Sequence, residues 1–208
     1  MKYTKPYLWW PTFKGYKVPI YRFKERKTNS LTFSYGQKLP FDSGNPNLAF
    51  TMREPKDYDL IFHTDLSPEQ FTQYDHLTNT GPGIILVNQK VKSILLELCP
   101  DDVQFFPAVI VPDNPRKMSF ENHDYEVLNI TRLIDVFDKN ESDLILYDDE
   151  DVQDIKKLRF KEIEKYNFYL GRQITKTLSI IASPELVKRI KKDKVTGVKF
   201  LKDYEYKG

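Results

Sequence analysis

Two stretches of this chain repeat one local pattern, a strand, a capped helix and a second strand. They align without a gap at a constant offset of 95 residues. In the first, Ile84 to Val87 follows the turn Gly81-Pro82-Gly83 as a short apolar run suited to a buried strand. Asn88 is a good N-cap, and Val91, Ile94, Leu95 and Leu98 recur at the spacing of one helix face until Pro100 ends the run. Val103 to Val111 reads as the second strand. In the later stretch, Leu178 to Ile181 is a strand and Ser183 is the cap. Pro184 takes the first helical position, and Glu185 favours the positive helix end. Leu186, Val187 and Ile190 form the apolar stripe, Gly197 turns the chain, and Val198 to Leu201 is a strand.

The alignment puts Ile85 on Ile180, Leu86 on Ile181, Asn88 on Ser183, Val91 on Leu186, Leu95 on Ile190, Val103 on Val198 and Phe105 on Phe200. Two explanations stay open. Any capped strand–helix–strand unit gives some of these matches, and an internal duplication gives all of them. The expected helices are 88–99 and 183–193, with a further helix start at Ser67-Pro68-Glu69-Gln70. Strand candidates outnumber them: Leu31 to Gly36, Asp57 to His63, Tyr125 to Ile130, Leu144 to Tyr147, Ile155 to Phe160 and Phe168 to Arg172. They do not alternate regularly with helices. The expected fold class is therefore α+β, a mixed or antiparallel sheet flanked by a few helices.

With 208 residues the chain can bury one sizeable core. Residues 1–56 form a Pro- and aromatic-rich arm expected to pack on a core domain of 57–208, the whole making one compact unit. A strand over Tyr16 to Phe23, with Pro19 at an edge or bulge, and a turn over Phe41 to Asn47 are expected within it. The N-terminus lacks an uninterrupted apolar stretch of the secretory type, and no run is long enough to span a bilayer, so a cytoplasmic location is expected. On that location, the glycosylation-like triplets at Asn129 and Asn140 are coincidental.

The formal net charge of +2 gives little whole-molecule attraction to nucleic acid or anionic membranes. Locally the balance is different. Residues 1–27 carry eight Lys or Arg against one Glu, and residues 141–154 carry seven acids and no base. Either stretch is a solvated face or a docking surface, since complementary charge steers association.

Catalytic patterns are absent from the sequence. It has no phosphate-binding glycine loop, no HExxH and no GxSxG elbow. His63, His76 and His123 lack neighbours at metal-ligand spacing, so no metal or cofactor is expected. The single Cys99 follows an apolar stripe and reads as a small buried hydrophobe. A deep pocket with convergent polar groups would mark an enzyme instead. A second alternative uses the basic, aromatic N-terminus, including Trp9 and Trp10, to stack single-stranded nucleic acid.

Five segments together resemble a known family. They are GIILVNQKVKSILLEL-x-PDDVQFFPAVI from Gly83, YEVLNITRLIDVFDKNES from Tyr125, the IxxLRF strand from Ile155, SIIASPELVKRI from Ser179 and TGVKF from Thr196. The chain resembles the bacterial toxin-immunity proteins known as immunity protein eleven, from about Asp57 to Tyr204, with residues 1–56 lacking a clear counterpart. The resemblance implies a non-catalytic antitoxin that binds a cognate toxin in the cytoplasm and protects the producing cell. Its setting would be interbacterial competition by polymorphic toxins, with type VI secretion among the delivery routes. The expected contacts are the acids Asp148, Asp149, Glu150 and Asp151 and, in the arm, Trp9 and Trp10. No nucleic-acid or membrane partner is implied.

Overall fold

The computed structural model describes residues 4–11, 32–35, 53, 60–64, 66–78, 84–147, 151–162 and 166–206. In chain order the elements begin with β1 (Tyr7–Pro11), β2 (Thr32–Tyr35), β3 (Leu60–Thr64), α1 (Pro68–Phe71) and β4 (His76–Thr78). The first strand–helix–strand unit follows as β5 (Ile85–Asn88), α2 (Gln89–Leu98) and β6 (Val103–Pro112). After it come β7 (Tyr125–Ile130), β8 (Leu133–Ile134), β9 (Asp143–Leu146), β10 (Val152–Lys157) and β11 (Leu170–Gln173). The second unit closes the chain as β12 (Lys176–Ala182), α3 (Pro184–Lys192) and β13 (Val198–Leu201). The strand expected over Tyr16 to Phe23 and the turn over Phe41 to Asn47 lie outside the described residues.

Among the described residues there are two sheets and one ribbon. The first sheet has the order β2-β3-β6-β7-β5-β4, the second β13-β1-β12-β11-β8, and β9 pairs with β10 alone. Both sheets are mixed: β3 runs parallel to β6 and β8 parallel to β11, while the remaining neighbours are antiparallel. The fold is α+β. No helix among the described residues is long and apolar enough to cross a membrane.

Neither unit pairs its own two strands. β7 lies between β5 and β6, antiparallel to both, and β1 lies between β12 and β13 in the same way. The 95-residue offset survives in the register. Val127 of β7 lies opposite Leu86 and Phe106, and Leu8 of β1 lies opposite Ile181 and Leu201. The two units are thus equivalent in topology and register. What differs is the origin of the middle strand: β7 follows its unit closely, whereas β1 comes from the far N-terminus.

Strand alternation sends these rows to different cores. Ile85, Val87 and Leu128 share a core with Ile180, Ala182 and Trp9, and both helices cover it with Val91, Ile94, Leu95, Leu186, Val187 and Ile190. The opposite faces are closed separately. Leu86 and Val127 pack with Phe62, Phe71 and Phe106; Leu8 and Ile181 pack with Phe137, Ile155 and Phe160. The helices start where their caps require. Asn88 Oδ1 accepts from the backbone N–H of Lys90 and Val91, and Ser183 Oγ accepts from that of Leu186. Arg189 of α3 then grips Glu97 of α2 through its two Nη atoms, at 2.6 and 2.7 Å.

A histidine joins the two sheets. Trp9 Nε1 donates to His76 Nε2 at 3.1 Å, and an indole nitrogen can only donate. The imidazole proton therefore sits on Nδ1, which lies 3.1 Å from the Gly197 carbonyl and donates to it. Full burial pushes the His76 pKa down to about 4. Gly197 has φ +85°, and a Cβ there would stand 2.1 Å from the His76 carbonyl oxygen, so only glycine fits.

Candidate functional site

The acidic segment sits on the β9–β10 ribbon. A register shift between Val152 and Asp154 spaces the buried side chains of β10 by three residues. Both Val152 and Ile155 then reach the core beside Leu158 and Phe160. The ribbon is also tied to the β11–β12 turn. Val152 N donates to the Thr175 carbonyl at 2.8 Å, and Lys176 Nζ donates to the carbonyls of Val152 and Gln153. At its end, Tyr147 N donates to the Asp151 carbonyl at 2.9 Å. Asp151 is exposed; Asp148, Asp149 and Glu150 lie outside the described residues. Beside this end the structure exposes Leu146, Ile174 and Tyr147, the last at 74%. Surface aromatics next to apolar neighbours are the side chains that most often anchor protein interfaces. Sequence reading found the acids but not these neighbours, because Ile174 comes from another hairpin.

The two arm tryptophans separate. Adjacent positions on a strand face opposite sides. Trp9 points into the core, 4% exposed, with its ring edge-on to Phe200 at 5.4 Å, and is withdrawn from any surface contact. Trp10 is 39% exposed, pairs across the sheet with Lys199 and meets Tyr206 edge-on at 5.8 Å. Strand β1 of the arm therefore lies within the second sheet, between two of its strands, while β2 edges the first sheet.

A cleft of about 480 Å³ opens at the start of β1, lined by Lys5, Tyr7, Arg159, Lys202, Asp203 and Tyr204 among others. Convergent polar groups in a pocket raise the question of catalysis. The one carboxylate here is buried and already committed. Asp203 accepts from Lys5 Nζ at 3.2 Å, Phe160 N at 3.1 Å and Tyr204 N at 2.9 Å. The six include no histidine or cysteine to pair with it as nucleophile and base. Cations and tyrosines in this arrangement are groups that can hold an anion. Elsewhere, burial and the nearby Asp102 push the Cys99 thiol up to about 12, well away from a reactive thiolate. Among the described residues no three His, Cys, Asp or Glu side chains group as metal ligands.

Two stretches singled out in the sequence prove to be structural clasps. Thr196 N donates to Asp75 Oδ2 at 2.8 Å, and Thr196 Oγ1 accepts from Asp75 N at 2.9 Å. Burial alone raises the Asp75 carboxyl, but donors from Thr196, Asn88 and Lys90 outweigh it and hold the group below its ordinary range. Ser142 Oγ donates to the Arg159 carbonyl and accepts from its N–H, pinning the base of the ribbon.

Residues 13–205 match the model of a family described as Immunity protein family (Imm11). The match begins well inside the arm, so the likeness extends beyond the stretch from Asp57 to Tyr204. Among individually curated proteins, none matches the chain.

Proposed function

The chain belongs to the Imm11 immunity protein family, and from that premise we propose that it binds and neutralises a cognate toxin domain in the cytoplasm of the cell that makes both. The family match over residues 13–205 is the observation that carries this reading. The toxin belongs to the polymorphic kind exchanged between competing bacteria, with type VI secretion as one route of delivery. Neutralisation is by stoichiometric binding, not by turnover. The saturated carboxylate in the cleft and the suppressed Cys99 thiol support that distinction.

The contact centres on the ribbon end. A toxin that acts on an anionic substrate has a basic cleft, and Asp148, Asp149, Glu150 and Asp151 supply the matching charge. Tyr147, Leu146 and Ile174 supply the apolar anchor beside them. In such a surface the charges mainly set the association rate, while the desolvated anchor sets the lifetime.

Two measurements test this. Co-expression with the toxin domain encoded beside the chain should restore growth, and titration should reach full inhibition at a fixed molar ratio. No rescue, or inhibition by a small fraction of an equivalent, removes the binding reading. Changing Asp148, Asp149 and Asp151 to Asn together with Glu150→Gln should slow association and flatten its salt dependence. Folding stability should stay within about 0.5 kcal/mol, as for ordinary surface changes. Unchanged affinity in that variant would move the contact elsewhere on the molecule.

A further inference from the structure

The cleft at the opposite end of the same ribbon has no part in the contact just described. It is assembled from four separated parts of the chain: Lys5 and Tyr7, Arg159, Pro184 at the start of α3, and Lys202 to Tyr204. Of its cations, Lys5 is spent on Asp203. Arg159 is half-buried, its Nη1 donates to the Leu158 carbonyl, and no described carboxylate pairs with it. Lys202 is exposed with its ammonium 5.5 Å from the centre of the Tyr204 ring; the Glu205 carboxylate turns back onto the Lys202 backbone N–H at 2.7 Å. Arg159 and Lys202, the latter hydrogen-bonded to the Tyr204 side chain, thus present positive charge that no described carboxylate neutralises across a cavity walled by Tyr7, Tyr204 and two prolines. The walls are held in place beforehand. Ser142 clamps the Arg159 backbone, Asp203 holds Phe160 and Tyr204, and the Tyr166 hydroxyl donates to the Thr4 carbonyl. A preorganised site loses little entropy on binding.

Its position relative to the acids matters as much as its lining. β10 starts beside Asp151 and ends two residues before Arg159. Its six residues, at about 3.3 Å each, span roughly 20 Å. Between the two ends, burial and then the nearby charge of Asp154 raise the Tyr206 hydroxyl, and Tyr206 meets Trp10 edge-on. The acids and Arg159 thus lie at opposite ends of β10, with the half-buried Tyr206 and the exposed Trp10 beside the strand between them. A standard interface of about 800 Å² per partner is roughly 30 Å across, enough to cover both ends.

We propose that this cleft is a second contact for the same partner: it receives a segment of the toxin domain that bears an Asp or Glu beside an aromatic or proline residue. The inference rests on the immunity reading. A carboxylate fits the planar donor fork of Arg159, Lys202 closes on its other side, and the tyrosines and prolines cover the apolar neighbour. Opposite charges at the two ends of one ribbon also fix the orientation of docking, since a partner turned end for end meets like charge at both.

The test compares the full chain with R159Q/K202Q against the toxin domain encoded beside it, by stopped-flow association and equilibrium binding from 50 to 300 mM salt. The double variant should associate at least tenfold more slowly, with a shallower salt dependence and an unchanged thermal midpoint. K202Q alone, an exposed change, should give a smaller loss and keeps the readout if the double variant is destabilised. Losses from the cleft and from the acidic quadruple variant should multiply, as expected for sites this far apart. Tight binding by the native chain with a double variant within twofold of it overturns the cleft contact and leaves the immunity reading standing. A native chain that does not bind the toxin domain overturns both. Binding of inorganic phosphate or a single-stranded oligonucleotide that is lost in R159Q/K202Q, with toxin affinity kept, overturns the proposal in favour of a phosphate ligand.

Discussion

The α2 unit and the α3 unit solve one packing problem with different loop lengths. Each places a helix over a three-stranded patch whose middle strand runs against both neighbours. In the α2 unit the middle strand β7 is the next strand after β6, joined to it by residues 113–124. In the α3 unit the middle strand β1 is contributed from the other end of the chain. Loop-closure entropy rises only slowly with length, so the distant strand is affordable at equilibrium, but the contact it makes is highly non-local. The second unit is therefore the half that depends on a remote segment. Trp9 marks that dependence, because it fills the position that Leu128 fills in β7 and also donates to His76 at the junction of the sheets.

The largest expected effect comes from emptying those two equivalent positions. Trp9→Ala removes a buried indole and the donor to His76, at a cost of about 3–5 kcal/mol, enough to unfold a marginal domain. Leu128→Ala should cost about 2–5 kcal/mol. Chemical denaturation measures both. A loss below about 1 kcal/mol for Trp9→Ala would mean that β1 is dispensable to the second unit, breaking the equivalence.

Acid sharpens the same junction. The folded His76 pKa, about 4, lies below the ordinary 6.5, so between those values the unfolded chain binds the proton that the folded chain refuses. Stability from this group is therefore complete above about pH 6.5 and declines as pH falls toward 4. Two and a half pH units correspond to roughly 3 kcal/mol. Denaturation midpoints across that range should show the decline, and His76→Gln should flatten it. A native profile already flat from pH 6.5 to 4 would place His76 outside the sheet junction.

The smallest effect tests the caps. Ser183→Ala should cost about 1 kcal/mol. Asn88→Ala should cost more than its counterpart, because the Asn88 amide also donates to Asp75 at 2.8 Å. Equal losses at the two positions would show that the Asp75 clasp adds nothing to the first unit.

Much of this pattern was legible because it is local. The caps Asn88 and Ser183, the stripes Val91-Ile94-Leu95 and Leu186-Val187-Ile190, and the strands Tyr125–Ile130 and Val198–Leu201 follow from spacings of a few residues. The lone Cys99 packs as its apolar context implies. The short strands β4 and β8 escaped, since two or three residues carry no period of their own. β1 escaped as well, because prolines and aromatics in Tyr7–Pro11 read as an irregular arm until two distant strands supply its partners. At the candidate site only the acids carried a signal. Tyr147 and Ile174 gain meaning from the hydrogen bond between Val152 and Thr175, and the cleft from pairing across the length of the chain, as where Lys5 meets Asp203, 198 positions away.

The sequence by itself determined the two capped units, their constant offset and the separation of basic and acidic segments, because capping, periodicity and charge act over one or two turns of chain. Only the tertiary structure decided which strand enters the middle of the second unit, that Trp9 turns inward while Trp10 faces out, and that Lys5, Arg159 and Lys202 share a cleft. Those choices rest on long-range pairing and burial, where the favourable term is area removed from water between segments that no local pattern connects.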